Sequence, residues 1–136
     1  MALAKKIDHV AIAVKDLDAA VKTYTANFGF QVRQRTDVAA LGIRLAMLPI
    51  GDADLELFTP TVADNPPAKF LAERGEGMYV LSLEVDDLDA AVATLTGKGI
   101  KVSTAARTAD GGGRLVYLSP KSTHGVLLQL IERPMS

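Results

Sequence analysis

An α+β fold of two tandem β-α-β-β-β modules is what this sequence predicts, and three observations carry the prediction. The segment Val14-Lys15-Asp16-Leu17-Asp18-Ala19-Ala20-Val21 returns 71 residues later as Val85-Asp86-Asp87-Leu88-Asp89-Ala90-Ala91-Val92, with seven of eight residues identical. Each copy follows a strand-like alternating run and opens a helix-like periodic one. Strand-like segments also correspond near the end of each half. Arg44-Leu45-Ala46-Met47-Leu48 matches Arg114-Leu115-Val116-Tyr117-Leu118 at an offset of 70, and Leu55-Glu56-Leu57 matches Leu128-Gln129-Leu130 at 73.

In chain order, residues 7–14 alternate and are rich in β-branched types, which predicts a strand. Asp16 or Asp18 then caps a helix whose apolar face is Leu17, Ala20, Val21, Tyr24 and Phe28, and Gly29 stops it. Strands are expected over 30–35, 44–50 and 54–58, with a turn at Gly51-Asp52. The second half repeats the order. A strand over 78–85 leads to a helix capped by Asp87, with Leu88, Ala91, Val92 and Leu95 inward and a stop near Gly97. Strands over 100–103, 114–118 and 126–131 complete it. Between the halves, Asn65-Pro66-Pro67 opens a short connecting helix and Gly75 closes it. Ala109-Asp110-Gly111-Gly112-Gly113 reads as a hairpin loop rather than a dinucleotide fingerprint, because no βαβ unit surrounds it.

At 136 residues, 49% of them apolar, the chain is expected to be a single domain over 1–136. Module one takes about 5–60, the connector about 61–76 and module two about 77–133. A net charge of -1 without a basic cluster argues against nucleic acid. Cysteine is absent, which removes disulfides, thiolate nucleophiles and cysteine-ligated metal. The N-terminal residues lack the apolar run of a signal peptide, and no stretch reaches the ~20 apolar residues of a membrane helix. A cytoplasmic protein, without a membrane partner, is the expectation.

Two residues stand out chemically. His9 lies mid-strand beside Asp8, just before the first copy of the repeat. Strand histidines are most often satisfied polar groups. Glu56 sits between Leu55 and Leu57, so alternation sends it to the opposite face. It is either a solvated glutamate or an inward carboxylate able to act as ligand or base. Gln129 holds the equivalent position in the other half.

These features carry a resemblance. The repeated module, together with residues 7–14, Glu56-Leu57-Phe58-Thr59-Pro60, Ala68-Lys69-Phe70-Leu71, Arg74-Gly75-Glu76-Gly77, Glu84-Val85-Asp86-Asp87, Pro120-Lys121-Ser122 and Gly125-Val126-Leu127, resembles the vicinal oxygen chelate superfamily. That superfamily embraces glyoxalases, bleomycin resistance proteins and dioxygenases. The closest pattern within it is that of the methylmalonyl-CoA epimerases. The resemblance covers nearly the whole chain.

It implies two modules forming a U-shaped mixed-sheet cleft around one divalent metal (cobalt, zinc, nickel or manganese). The metal is held by a histidine on the first strand and a glutamate or glutamine on the last strand of each half. Carried over, the ligands are His9, Glu56 and Gln129. The second histidine of the pattern falls on Val80, which has no lone pair, so at most three protein ligands remain and a metal-free cleft is the competing expectation. The proton-transfer bases of the pattern fall on Gln129 and Leu45, neither of which can accept a proton. Glu56 and His9 are then the catalytic candidates.

Val80, Gln129, Leu45, Tyr117 and His124 are expected to line the ligand site. Tyr79 and Tyr117 are also consistent with core packing that leaves a hydroxyl at the rim. Arg107, Arg114 and Lys121 are possible contacts for coenzyme A phosphates. The implied activity is epimerase or isomerase chemistry on an acyl-CoA or 2-carbonyl acid through an enolate. The alternative is a metal-free small-molecule-binding protein of the sequestering kind. Relatives usually pair, so a homodimer is expected.

Overall fold

The computed structural model describes residues 2–108 and 112–134. Most of the 109–113 loop, and the side chain of Arg107 with its reading as a phosphate contact, lie outside what is described.

The elements follow the predicted order. In the first module they are β1 (Lys6–Ala13), α1 (Leu17–Phe28), β2 (Gln34–Val38), β3 (Ile43–Ile50) and β4 (Ala53–Pro60). The connecting helix α2 (Pro66–Arg74) comes next. The second module contains β5 (Gly77–Glu84), α3 (Leu88–Gly97), β6 (Ala106–Arg107), β7 (Arg114–Leu118) and β8 (Leu128–Glu132). In each module the first strand runs parallel to the last, which is antiparallel to the one before it. So β1 pairs with β4, β4 with β3 and β3 with β2. Likewise β5 pairs with β8, β8 with β7 and β7 with β6. No helix among the described residues is long and apolar enough to cross a membrane.

The repeat is visible at the helix starts. Asp16 accepts a hydrogen bond from the Ala19 N–H, and Asp87 accepts one from the Ala90 N–H, both at 3.0 Å. Each satisfies a donor that has no partner within its helix. Asp16 is therefore the cap, while Asp18 pairs with Arg35. Gly29 ends α1 at a φ of 74°, a left-handed conformation that glycine adopts at little cost.

Two compact units arise. One spans His9–Tyr79, and the other the described residues of Met1–Asp8 and Val80–Ser136. In the first, Val14, Leu17, Val21, Ala46, Leu48 and Leu57 pack α1 onto one face of its sheet. In the second, Val85, Leu88, Ala91, Val116 and Leu130 do the same for α3. The chain start is tied to the second unit. The Lys5 N–H donates to the Glu84 carbonyl at 2.9 Å, and Arg133 forks onto the buried Asp8 at 3.1 and 2.8 Å. A buried carboxylate needs such a partner.

Three expected strands are displaced. The strand expected over 30–35 begins at Gln34, because Gly29 turns the chain and Phe30 is anchored by stacking on Phe28. The strand expected over 100–103 reduces to one bridge between Val102 and Leu118, with β6 forming later. There Ser103 Oγ accepts from the Tyr117 N–H at 2.8 Å, replacing a main-chain acceptor and ending the ladder. The last strand starts at Leu128, two residues late, because Gly125 turns the chain at a φ of 92°.

Candidate functional site

Helix packing decides which sheet face is left for chemistry. In the unit His9–Tyr79, α1 covers the face carrying Ile12, Val14, Ala46, Leu48, Leu55 and Leu57. Strand alternation sends His9, Ala11, Glu56, Leu45 and Met47 to the other face. Register then places Glu56 between Ala11 and Met47 on the neighbouring strands. His9 Nε2 lies 4.0 Å from Glu56 Oε1, with side chains 9% and 16% exposed. That spacing makes an ion pair when the imidazole is protonated, and it is too long for a hydrogen bond. Of the two readings of Glu56, the inward, partly buried one is what the structure adopts.

The other unit presents the corresponding face of its own sheet. Alternation places Val80, Ser82, Gln129 and Tyr117 opposite the α3 core. Register sets Gln129 between Ser82 and Tyr117. The Ser82 hydroxyl donates to Gln129 Oε1 at 2.7 Å, and Gln129 Nε2 donates to the Tyr117 hydroxyl at 3.1 Å. Ser82 is fully buried, Gln129 nearly so, and Tyr117 is 37% exposed.

The two faces are homologous in position and opposite in chemistry. His9, Ala11, Met47 and Glu56 correspond to Val80, Ser82, Tyr117 and Gln129. One face holds a carboxylate with an imidazole between apolar neighbours. The other holds a neutral amide between two hydroxyls. Ser82 was not among the residues singled out in the sequence, yet the 71-residue repeat that pairs His9 with Val80 also pairs Ala11 with Ser82.

This donor set is smaller than the four ligands that the family pattern implies. Among the described residues, no group of three or more histidine, aspartate or glutamate side chains comes together. Val80 offers no lone pair. The Gln129 oxygen already accepts from Ser82, and a neutral amide adds no charge to hold a cation.

The remaining predicted residues divide. Leu45 is buried and faces Phe58 across the β3–β4 pair. Tyr79 packs edge-on against Phe58 and Phe70, with ring centroids 5.4 and 5.1 Å away, the core-packing role. His124 is exposed and has a φ of 57°, the sole positive value among described residues other than glycine. It follows Thr123, which caps the helical turn at Pro120–Ser122, and the Gly125 N–H then donates to the Pro120 carbonyl at 2.8 Å. Arg114 is held by Asp89 at 3.3 and 3.2 Å and by Glu132 at 3.4 Å. These partners compete with any phosphate. Lys121 lies exposed in the same turn as His124.

A separate polar cavity of about 620 Å³ lies at the start of α1, lined among others by Lys15, Asp18, Arg35, Asp37 and Arg44. Arg35 pairs with Asp18 and Arg44 with Asp37, so the charges largely cancel. Neither His9 nor Glu56 lines it.

Comparison with known proteins identifies the family and relatives of the same fold. Residues 6–130 match the family model described as Glyoxalase/Bleomycin resistance protein/Dioxygenase superfamily. The chain is 34% identical to the mitochondrial methylmalonyl-CoA epimerase of Homo sapiens over 127 residues, 92% of this chain and 72% of that protein. It superposes on the crystal structure of methylmalonyl-CoA epimerase from Mycobacterium tuberculosis with a TM-score of 0.92 at 34% identity, covering 99% of this chain and 92% of the other. A variant of the Streptomyces coelicolor methylmalonyl-CoA epimerase, in complex with 2-nitronate-propionyl-CoA, gives a TM-score of 0.90 at 36% identity, covering 97% and 99%.

Proposed function

The chain belongs to the glyoxalase/bleomycin resistance protein/dioxygenase superfamily, and from that premise we propose that it is an epimerase-like isomerase acting on an acyl-CoA or related 2-carbonyl acid through an enolate. The observation that carries this reading is the His9–Glu56 pair, 4.0 Å apart on the sheet face that α1 leaves uncovered. Glu56 takes the proton α to the carbonyl. The C–H bond breaks, its electron pair moves into the carbonyl system, and the carboxyl returns a proton to the same carbon. His9, when protonated, stabilises the charge of Glu56 as an ion-pair partner. No step is assigned to a metal.

The proposal has a stereochemical consequence. The positions where the family pattern sets its bases are Gln129 and Leu45, and neither ionises. A single carrier returns the proton mostly to the face it came from, so exchange with solvent outpaces inversion. The test is methylmalonyl-CoA in heavy water, followed by NMR for deuterium at the α-carbon and by a chiral coupled assay for inversion. Deuterium is expected to enter faster than the configuration changes, and Glu56→Gln is expected to lower the exchange rate by roughly 10²–10⁴-fold. Wild-type protein that exchanges nothing, with chelator or with added divalent ions, refutes the reading.

A second reading is ligand sequestration, favoured by the buried apolar side chains of Leu45, Met47 and Val80 on these faces. It predicts calorimetric binding of a ligand without exchange. Pairing into a homodimer belongs to the proposal too, and light scattering in solution checks it.

A further inference from the structure

We infer that the polar cavity at the start of α1 binds the carboxylate of a small polar organic acid, held by the Leu17 N–H and the guanidinium of Arg44. All of its lining residues lie in the unit His9–Tyr79. Alternation puts Arg44 and Thr59 on the α1 side of the sheet, away from His9 and Glu56, so this site stands apart from the acyl-CoA reading.

The second module already holds a carboxylate at the equivalent place, that of Glu132. Its Oε2 accepts from the Leu88 N–H at 2.8 Å, and its Oε1 accepts from Arg114 Nη2 at 3.4 Å. Leu88 is the first residue of α3, so its N–H has no acceptor within the helix. One carboxylate serves a helix start and a guanidinium together, an arrangement that the helix dipole favours. The first module repeats these parts without the carboxylate. Leu17 corresponds to Leu88, Asp18 to Asp89 and Arg44 to Arg114, while Thr59 stands where Glu132 does. The sheet register agrees. Arg44 pairs with Thr59 across β3 and β4, as Arg114 pairs with Glu132 across β7 and β8.

The donors that Glu132 serves in one module lack a carboxylate in the other. Leu17 is 4% exposed, and among the described residues its N–H has no hydrogen-bond partner. A buried N–H needs an acceptor. The Thr59 hydroxyl bonds the Lys15 carbonyl instead, at 3.3 Å. Arg44 gives its Nε and Nη2 to Asp37, and among the described residues its Nη1 bonds nothing. Lys15 also lines the cavity, and its ammonium has no partner among the described residues. The equivalent residue of the second module is the acidic Asp86. Both exchanges, threonine for glutamate and lysine for aspartate, remove negative charge from the helix start of the first module. At about 620 Å³ the cavity has room for more than a glutamate side chain, and it lies within the range of small-molecule sites, roughly 300–1,000 Å³. Asp18 and Asp37 line it as well and can accept from hydroxyl or amino groups of the acid, hence a polar one.

The probe is propionate, the glutamate side chain cut free at Cβ, with propionamide as its neutral isostere and phosphate as a second anion. Titrations of the full chain at constant ionic strength are followed by amide NMR. Propionate is expected to shift the Leu17 amide and the Arg44 Nε–H saturably, and propionamide is not. Arg44→Gln is expected to weaken propionate binding at least about tenfold, the range of a hydrogen bond to a charged group. Thr59→Glu restores the carboxylate of the second module. It is expected to move the Leu17 amide without any probe and to abolish the response to propionate. This variant adds a contact that the other module already contains, so it keeps the test decisive if Arg44→Gln does not fold. No saturable shift in wild type, equal shifts with propionamide, or an unchanged propionate response in Thr59→Glu overturns the inference. Saturation by phosphate alone overturns the assignment to a carboxylate.

Discussion

Replacing Gln129 by leucine is expected to destabilise the protein through a residue it does not alter. Leucine fills much the same volume and removes both hydrogen bonds of the amide. Tyr117 is 37% exposed, so solvent reaches the residue when the amide is lost. Ser82 has no such option, because it is fully buried and loses its acceptor. An unsatisfied buried hydroxyl costs about 1–3 kcal/mol, so Gln129→Leu should lower the unfolding free energy by about 2 kcal/mol. Ser82→Ala removes one bond to the amide oxygen and should cost about 1 kcal/mol. The double variant removes donor and acceptor together and strands nothing, so it should cost about 1 kcal/mol rather than the roughly 3 kcal/mol of simple addition. The coupling of about 2 kcal/mol is the quantity to measure, by urea unfolding of all four proteins at one pH. Additivity within about 0.5 kcal/mol would refute the buried chain and the direction assigned to it.

Two further outcomes are expected. Val80→His supplies the imidazole of the family pattern at the position equivalent to His9, and it should raise cobalt or manganese affinity at least about tenfold in equilibrium titrations. Unchanged affinity would show that the His9, Glu56 and Gln129 positions are not arranged for coordination. Arg44 forks onto Asp37 at 2.7 and 3.2 Å and holds its carboxyl below the ordinary value of 3.8. A lowered folded value means stability that is present above that ordinary value and lost as pH falls through the folded one. The urea midpoint of Asp37→Asn should therefore lie below wild type near about pH 6 and merge with it by about pH 2. A gap that persists in acid contradicts the pairing.

The helices were the most legible elements, because each has a carboxylate or amide cap at its start and apolar residues at helical spacing. Asn65 caps α2 as the Asn-Pro-Pro segment implies, accepting from the Ala68 N–H at 3.0 Å. The strands that shifted did so for reasons outside their own residues. The 100–103 segment is apolar enough for a strand, but Ser103 bonds the Tyr117 backbone with its side chain and breaks the ladder. Phe30 looked like a strand residue, and packing against the α1 core, with its ring stacked on Phe28, accounts for its partial burial instead.

The site was partly legible in the same way. His9, Glu56, Gln129 and the loss at Val80 follow from the 71-residue repeat and period-two alternation alone, since both depend only on residue order. Hydrogen-bond direction does not. A serine, a glutamine and a tyrosine on three strands can satisfy one another in several ways. Which way holds depends on how deeply each lies, and tertiary packing sets that depth. By itself the sequence determined the duplicated modules, the strand faces and the unequal chemistry of equivalent positions, because these are consequences of period and offset. Only the tertiary structure decided that Glu56 pairs with His9, and that Ser82, buried beneath Gln129, orients the amide toward Tyr117.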